Sequence, residues 1–132
     1  MRWVSIASLT GLALAASGLP PAARRPVDFT REVAPLLARC QACHGDRQQL
    51  SGLRLDTSEG LRKGGYSGPV VQPGSSADSK LIHLVAETTK GRVMPPSGPK
   101  LNASEIGVLR AWIDQGAKWA ESAAPAKAEA PM

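Results

Sequence analysis

The chain has 132 residues, a formal net charge of +5, and only two cysteines, three tryptophans, one tyrosine and one phenylalanine. Its basic residues are scattered and do not alternate with aromatic ones, which argues against a nucleic-acid-binding protein. With 13 glycines and 11 prolines, the composition excludes a domain that builds a large apolar core by itself and predicts long loops.

The N-terminus has the form of an export signal. Met1-Arg2-Trp3 is short and positive, residues 4–16 are apolar or small, and Ala13-Leu14-Ala15 has the small-x-small form of a cleavage site. We therefore predict a signal peptide over residues 1–23 and a periplasmic or otherwise exported product with no stable membrane insertion. The apolar run of about 13 residues is shorter than the roughly 20 that a membrane span needs. An uncleaved membrane tether is the alternative.

The rest of the chain is predicted to form one domain. Residues 27–120 make up about 95 residues of mixed composition, which is the size of a single small domain. Residues 121–132, with the sequence ESAAPAKAEAPM, have the composition of a low-complexity tail.

The first predicted helix, over residues 28–43, ends in the motif C-x-x-C-H. Asp28 or Thr30 is placed to cap it, and its apolar residues follow helical spacing up to Cys40. Cys40 and Cys43 lie one helical turn apart, and His44 follows directly. Two thiols at this spacing can form thioethers with the two vinyl groups of a haem, whose iron the histidine then binds.

Two other uses of the cysteine pair remain open at this point. A redox disulfide normally follows a strand in a thioredoxin-like pattern, and no such pattern precedes Cys40. A zinc site needs more ligands than this pair, and the only histidines are His44 and His83.

Two short helices are predicted in the middle of the domain. Residues 56–59 have capping-box spacing, which predicts a helix as far as Lys63, where Gly64-Gly65 ends it. A second helix is predicted to begin near Ser75 or Ser76 and to run to about Glu87.

The segment of residues 90–99 contains Met94 and cannot form regular structure, because its prolines and glycines interrupt both helices and strands. Met94 is the only methionine away from the chain ends. A thioether in a loop stiffened by proline suits a second axial ligand of haem iron. The alternative is a methionine that only fills a gap in the core.

The last predicted helix is the clearest. Residues 102–105 form a capping box, and Gly116 marks the end. An apolar stripe lies between them: Ile106, Leu109, Trp112 and Ile113. Of the two nearby tryptophans, Trp112 is the better candidate for packing in the core, while Trp119 lies beyond the end of the helix.

Taken together, these motifs resemble the planctomycete-type cytochrome c domain, a relative of class I cytochromes c. The resemblance covers nearly all of residues 27–120 and rests on many short motifs in the right order. They are Val27-Asp28-Phe29, Pro35-Leu36-Leu37, Cys40 to Gly45, Gly52-Leu53-Arg54-Leu55-Asp56, Lys63-Gly64-Gly65, Ser67-Gly68-Pro69, Pro73-Gly74, Met94-Pro95-Pro96 and Trp112-Ile113-Asp114-Gln115-Gly116-Ala117.

The resemblance implies an all-α, class I-like fold of about four short helices, with long Gly/Pro-rich loops around one covalent haem c. The last helix is expected to pack across the helix before C-x-x-C-H. Cys40 and Cys43 would attach the haem, His44 would be the proximal iron ligand and Met94 the distal one. The carbonyl of Pro69 would accept a hydrogen bond from the second ring nitrogen of His44.

These residues predict a monohaem electron carrier and not an enzyme, because His44 and Met94 together would leave the iron no open position. Its partners would be other redox proteins, as yet unidentified. The alternatives are a haem domain that serves a larger dehydrogenase, a peroxidase-like enzyme that uses His83 above the iron, and a haem-free module with a disulfide. The family domain is commonly followed by long additional domains, whereas this sequence ends at Met132, so a stand-alone carrier is the simplest hypothesis.

Overall fold

The computed structural model describes residues 25–120, and this part of the chain is helical. It contains four short α-helices: α1 (Ala34–Ala38), α2 (Ser58–Lys63), α3 (Lys80–Val85) and α4 (Ala103–Asp114). A π-helical turn at Phe29–Val33 precedes α1, and a 3-10 turn lies at Leu50–Gly52. Within residues 25–120 there is no strand, and the backbone pairs only at two isolated bridges. The fold therefore agrees with the predicted all-α class.

The predicted signal peptide over residues 1–23 and the predicted tail over residues 121–132 lie outside the described residues. None of the helices in the described range is long and apolar enough to cross a membrane.

The first helix ends earlier than predicted, at Ala38, and Pro35 alters the geometry of its first turn. Asp28 caps it as expected by accepting a hydrogen bond from the Arg31 amide, but the first turn is a π-helical one. Proline has no amide hydrogen, and its ring would collide with the carbonyl four residues earlier in an α-helix, so the wider turn accommodates it. Regular α-helix ends at Ala38, and tight turns carry the chain through Cys40 to His44.

The helix predicted from Ser75 or Ser76 begins later, at Lys80. Ser76 is held by Asp114, which accepts from its amide at 2.7 Å and from its hydroxyl at 3.0 Å. The Ser79 hydroxyl donates to the carbonyl of Ser75 at 2.8 Å and accepts from the amide of Gln72. These side chains bond the backbone in a loop conformation, which competes with the helix over residues 75–79.

The other helix ends mostly follow the sequence. The cap of α2 is Thr57, one residue later than the predicted Asp56, and Gly64 ends the helix. The capping box of Asn102 and Glu105 at the start of α4 is confirmed, with both of its hydrogen bonds present. Gly116 follows α4 with φ of 109°, a conformation that favours glycine.

The core joins the beginning of the domain to its end. The rings of Phe29 and Trp112 lie 5.7 Å apart, and the ring of Trp119 lies 4.5 Å from that of Phe29. Trp112 is buried, and its indole nitrogen donates to the carbonyl of Lys118 at 2.9 Å. The last helix thus packs against the segment that leads to C-x-x-C-H, as predicted. The side of α4 that carries Leu109 and Ile113 is also buried.

An ion pair stabilises the turn that opens the domain. Arg25 binds Glu32 through two hydrogen bonds of 2.6 and 2.9 Å, and the Asp28 amide donates to the same carboxylate at 2.8 Å. Arg25, followed by the Asp28 amide, lowers the pKa of Glu32 from 4.5 to about 2. Because the Arg25 side chain is 52% exposed, solvent and salt screen this pair, and its contribution is small.

We therefore expect a pH-dependent part of the stability to disappear in the Glu32→Gln variant. A carboxylate whose pKa is lowered by folding stabilises the folded state above its ordinary pKa. That stability is lost as pH falls from about 4.5 towards 2. Urea unfolding from pH 6 to pH 2 should show a shallower decline for Glu32→Gln than for the native protein. Glu59→Gln, at an exposed position on α2, serves as control, and equal declines in the native protein and Glu32→Gln would contradict the prediction.

Candidate functional site

The C-x-x-C-H residues form a single turn directly after α1. The amide of His44 donates to the carbonyl of Cys40 at 2.9 Å, and the amide of Cys43 donates to the same oxygen at 3.3 Å. Cys40 is half-buried and packs against the hydrophobic core, while Cys43 is exposed. Both cysteines are free thiols. The turn therefore presents two thiols and an imidazole within five consecutive residues.

The environment of Cys40 does not favour a redox disulfide. Redox-active C-x-x-C pairs attack through an exposed thiol whose pKa is lowered by its surroundings. Here burial raises the pKa of the Cys40 thiol, and the opposing effect of the Arg39 charge is smaller. Cys40 is thus a partly buried, weakly acidic thiol rather than an activated nucleophile.

His44 has one ring nitrogen occupied and one available. Nδ1 lies 3.0 Å from the carbonyl oxygen of Leu50, and because a carbonyl only accepts, Nδ1 must carry the hydrogen. This leaves the lone pair of the neutral ring on Nε2, which makes no hydrogen bond within residues 25–120. A histidine oriented in this way by a backbone carbonyl is typical of a metal ligand.

The loop that presents the Leu50 carbonyl is itself held at several points. Leu50 donates to the carbonyl of Cys43 at 2.9 Å, Leu55 donates to that of His44 at 2.8 Å, and Tyr66 donates to that of Ser51 at 2.8 Å. Ser51 and Gly52 both have positive φ, which bends the chain back towards the C-x-x-C-H turn. The position of the His44 ring is therefore fixed by backbone contacts on both sides of it.

In this structure the His44 ring bonds a backbone carbonyl other than that of Pro69. The hydrogen bond from His44 goes to Leu50, and Pro69 is exposed at the end of a tight turn closed by two hydrogen bonds between Gly65 and Gly68. Leu50 could not be predicted from the sequence, because the accepting group belongs to the backbone and any residue type supplies it.

Met94 lies in the irregular segment predicted for it. Its side chain is half-buried and packs against the same hydrophobic core as Cys40. Its amide donates to the carbonyl of Leu84 at 3.1 Å, and Lys100 Nζ donates to the carbonyl of Pro95 at 2.6 Å. The loop is thus tied to α3 at one end and folded back on itself at the other.

His83 is fully engaged in holding α3. Its Nε2 donates to the carbonyl of Ala77 at 2.6 Å, and its Nδ1 lies 2.8 Å from the hydroxyl of Thr88. These bonds tie the loop before α3 to the loop after it. With both nitrogens occupied, His83 is a structural residue in this fold and is not poised as an iron ligand or a distal base.

An apolar groove adjoins the C-x-x-C-H turn at Gln41. It runs along α1 and is lined by Ala34, Leu37, Ala38, Gln41 and Trp119, among others. None of Cys40, Cys43, His44 and Met94 contributes to it.

A small helical domain whose first helix leads into C-x-x-C-H has the features of a c-type cytochrome. A family model described as planctomycete cytochrome C matches residues 40–98, and this match supports a planctomycete-type cytochrome c domain. No curated protein and no solved structure matches the chain. The match includes the C-x-x-C-H turn, Pro69 and Met94.

The donor groups of this structure fit a covalently bound haem. Cys40 and Cys43 are free to form thioethers, Nε2 of His44 is available, and the half-buried thioether of Met94 is a soft ligand of the kind that haem iron accepts. When bound, a haem supplies one-electron chemistry by cycling between ferrous and ferric iron. Cys40, Cys43, His44 and Met94 are the residues that would hold it.

Gly64 lies close to the backbone of Gly68 and Pro69, and a substitution at Gly64 tests how much this contact matters for stability. Gly64 has φ of 73° and ψ of −162°, a conformation that is essentially restricted to glycine. A Cβ atom there would lie 2.1 Å from the Gly68 carbonyl oxygen. We expect Gly64→Ala to lower the free energy of unfolding by about 2 kcal/mol or more.

Gly74→Ala is the matched control, because Gly74 also has positive φ, of 87°, but open space around it. It should cost only about 1 kcal/mol, from backbone strain alone. Chemical denaturation of both variants measures the difference, and equal losses would show that the contact with Gly68 is not tight.

Proposed function

We propose that this protein is an exported, monohaem electron carrier. One haem is attached through Cys40 and Cys43, with His44 and Met94 as the two axial ligands. The cytochrome c family supports a haem-based role in electron transfer. The observation that carries the finer proposal is the pairing of an oriented imidazole at His44 with a half-buried thioether at Met94.

Two filled axial positions favour electron transfer over catalysis. A peroxidase needs an open iron position and an acid or base above it, and His83 uses both ring nitrogens to hold the loops around α3. The protein then exchanges electrons with other redox proteins through the exposed edge of the haem and binds no substrate at the iron. Cys43, which is exposed, places one attachment point at the protein surface.

The chain contributes to this function by holding its ligands still. The Leu50 carbonyl fixes the orientation of the His44 ring and leaves Nε2 available for the iron. Methionine on the other side favours ferrous iron and raises the reduction potential. Both ligands are held by backbone contacts, so little rearrangement is expected when the iron changes its charge.

Haem attachment is tested first. The protein should be expressed with its own leader in a host that matures c-type cytochromes. A pyridine haemochrome spectrum and intact mass should then show one haem per chain that resists acid-acetone extraction. Cys40→Ala and Cys43→Ala should each leave a single thioether, which shifts the haemochrome band. A product with the mass of the polypeptide and a disulfide would contradict the proposal.

Axial ligation is tested with Met94→Ala, using His83→Ala as control. The ferric native protein should show the methionine-to-iron charge-transfer band. Met94→Ala should lose this band and lower the reduction potential by on the order of 0.1 V or more. His83→Ala should keep the band and the potential while losing some stability, because it removes two hydrogen bonds. A change of spectrum in His83→Ala but not in Met94→Ala would favour a histidine-ligated or peroxidase-like protein.

A further inference from the structure

Arg39, the residue directly before the haem-attachment motif, reaches across to two other parts of the domain. Its Nη1 donates to Oε1 of Glu105 at 3.0 Å, which joins it to the start of α4. Its Nη2 donates to the carbonyls of Pro99 and Lys100 at 3.3 and 3.4 Å. These two carbonyls lie at the end of the segment that carries Met94. The side chain of Arg39 thus contacts both α4 and the loop of residues 90–100, here called the Met94 loop, and Arg39 directly precedes Cys40 in the chain.

The carboxylate that anchors Arg39 is itself fixed. Glu105 belongs to the capping box of α4, where its Oε2 accepts from the Asn102 amide at 2.8 Å. This bond, together with Arg39, lowers the pKa of Glu105. Because Oε2 is held by the helix and Oε1 by Arg39, the carboxylate cannot turn away without losing a bond. Arg39 is therefore attached to a rigid part of the fold.

Apart from the packing of the Met94 side chain against the core, few hydrogen bonds among the described residues attach the Met94 loop, residues 90–100, to the rest of the domain. At its beginning, the Met94 amide donates to Leu84. Within the loop, Lys100 Nζ donates to Pro95, which closes the loop on itself but does not connect it to the C-x-x-C-H turn. The contacts from Arg39 connect the far end of the loop to the segment that carries Cys40 and His44.

We propose that Arg39 is a positioning residue that holds the Met94 loop against the haem-attachment turn and so determines how firmly Met94 binds the iron. The inference rests on the axial ligation by Met94 proposed above. A guanidinium group suits this role because its planar array of five donors can reach a carboxylate and two carbonyls at once. A lysine has a single nitrogen and would satisfy only part of this set.

The expected effect of losing Arg39 can be judged from how exposed its ion pair is. The side chains of Arg39 and Glu105 are 39% and 28% exposed, and ion pairs that are partly open to solvent contribute modestly. We therefore expect a weakened methionine ligand and not the loss of the fold.

The experiment is competition between Met94 and added imidazole in the ferric protein, followed by loss of the methionine-to-iron charge-transfer band. Arg39→Met should bind imidazole roughly three- to tenfold more tightly than the native protein, as expected for loss of an exposed charged hydrogen-bond set. Arg39→Lys should fall between the two.

Two controls separate this role from general effects. Arg31→Met removes an equal charge at an exposed position whose ion pair within residues 25–120, with Asp28, is 3.9 Å long, so it reports the effect of charge alone. Ser76→Ala removes a hydrogen bond to Asp114, which holds a different loop, so it reports the effect of lowered stability. Both should bind imidazole as the native protein does.

The outcomes are distinct. If the native protein lacks the charge-transfer band, ligation by Met94 is wrong and this inference fails with it. If the native protein has the band but Arg39→Met binds imidazole no more tightly than Arg31→Met, ligation stands and the role of Arg39 is refuted. Should Arg39→Met yield no haem protein, Arg39→Lys and Glu105→Gln decide the question, and imidazole affinities equal to the native value in both would refute the role.

Discussion

The contact between Phe29 and Trp112 joins the two ends of the domain and holds the helix to which several loops are bonded. It places α4 across the turn that precedes α1. Gln115, just past the end of α4, reinforces this arrangement by accepting from the Val27 amide at 2.8 Å and donating to the Arg25 carbonyl at 2.8 Å. α4 is the longest helix of the described chain, and the shorter helices and the loops pack around it.

Hydrogen bonds, and not further helices or strands, attach the loops to α4. Near its end, α4 holds the loop before α3, because Asp114 binds Ser76 and the carbonyl of Ile113 accepts from Gly74 at 2.7 Å. Near its start, Glu105 holds Arg39 and through it the end of the Met94 loop. Among the described residues, no buried side-chain nitrogen or oxygen lacks a hydrogen-bond partner. A chain rich in glycine and proline thus becomes ordered through individual side-chain bonds.

The sequence predicted local signals well and long-range polar contacts poorly. The capping box at Asn102 and the stop at Gly116 were predictable, because each depends on residues a few positions apart. The late start of α3 was not, since it depends on Asp114, 38 residues from Ser76. Leu50 could not be found either, because the carbonyl that orients His44 is common to every residue. Arg39 was overlooked because an arginine beside a motif carries no signal until its distant partners are known.

The two proposed axial ligands are held by contacts of different range, His44 by local ones and Met94 by long-range ones. His44 lies in the same turn as Cys40 and Cys43, and its ring is held by a carbonyl only six residues away. Short-range restraints of this kind cost little chain entropy to form and remain when distant parts of the fold loosen. Met94 instead depends on contacts with α3 and on the long reach of Arg39 from the other side of the motif. Local opening of a protein begins in segments that are attached mainly by solvent-exposed hydrogen bonds. In the proposed cytochrome, the methionine side of the iron is therefore the side that opens first, while the histidine stays in place beneath the haem.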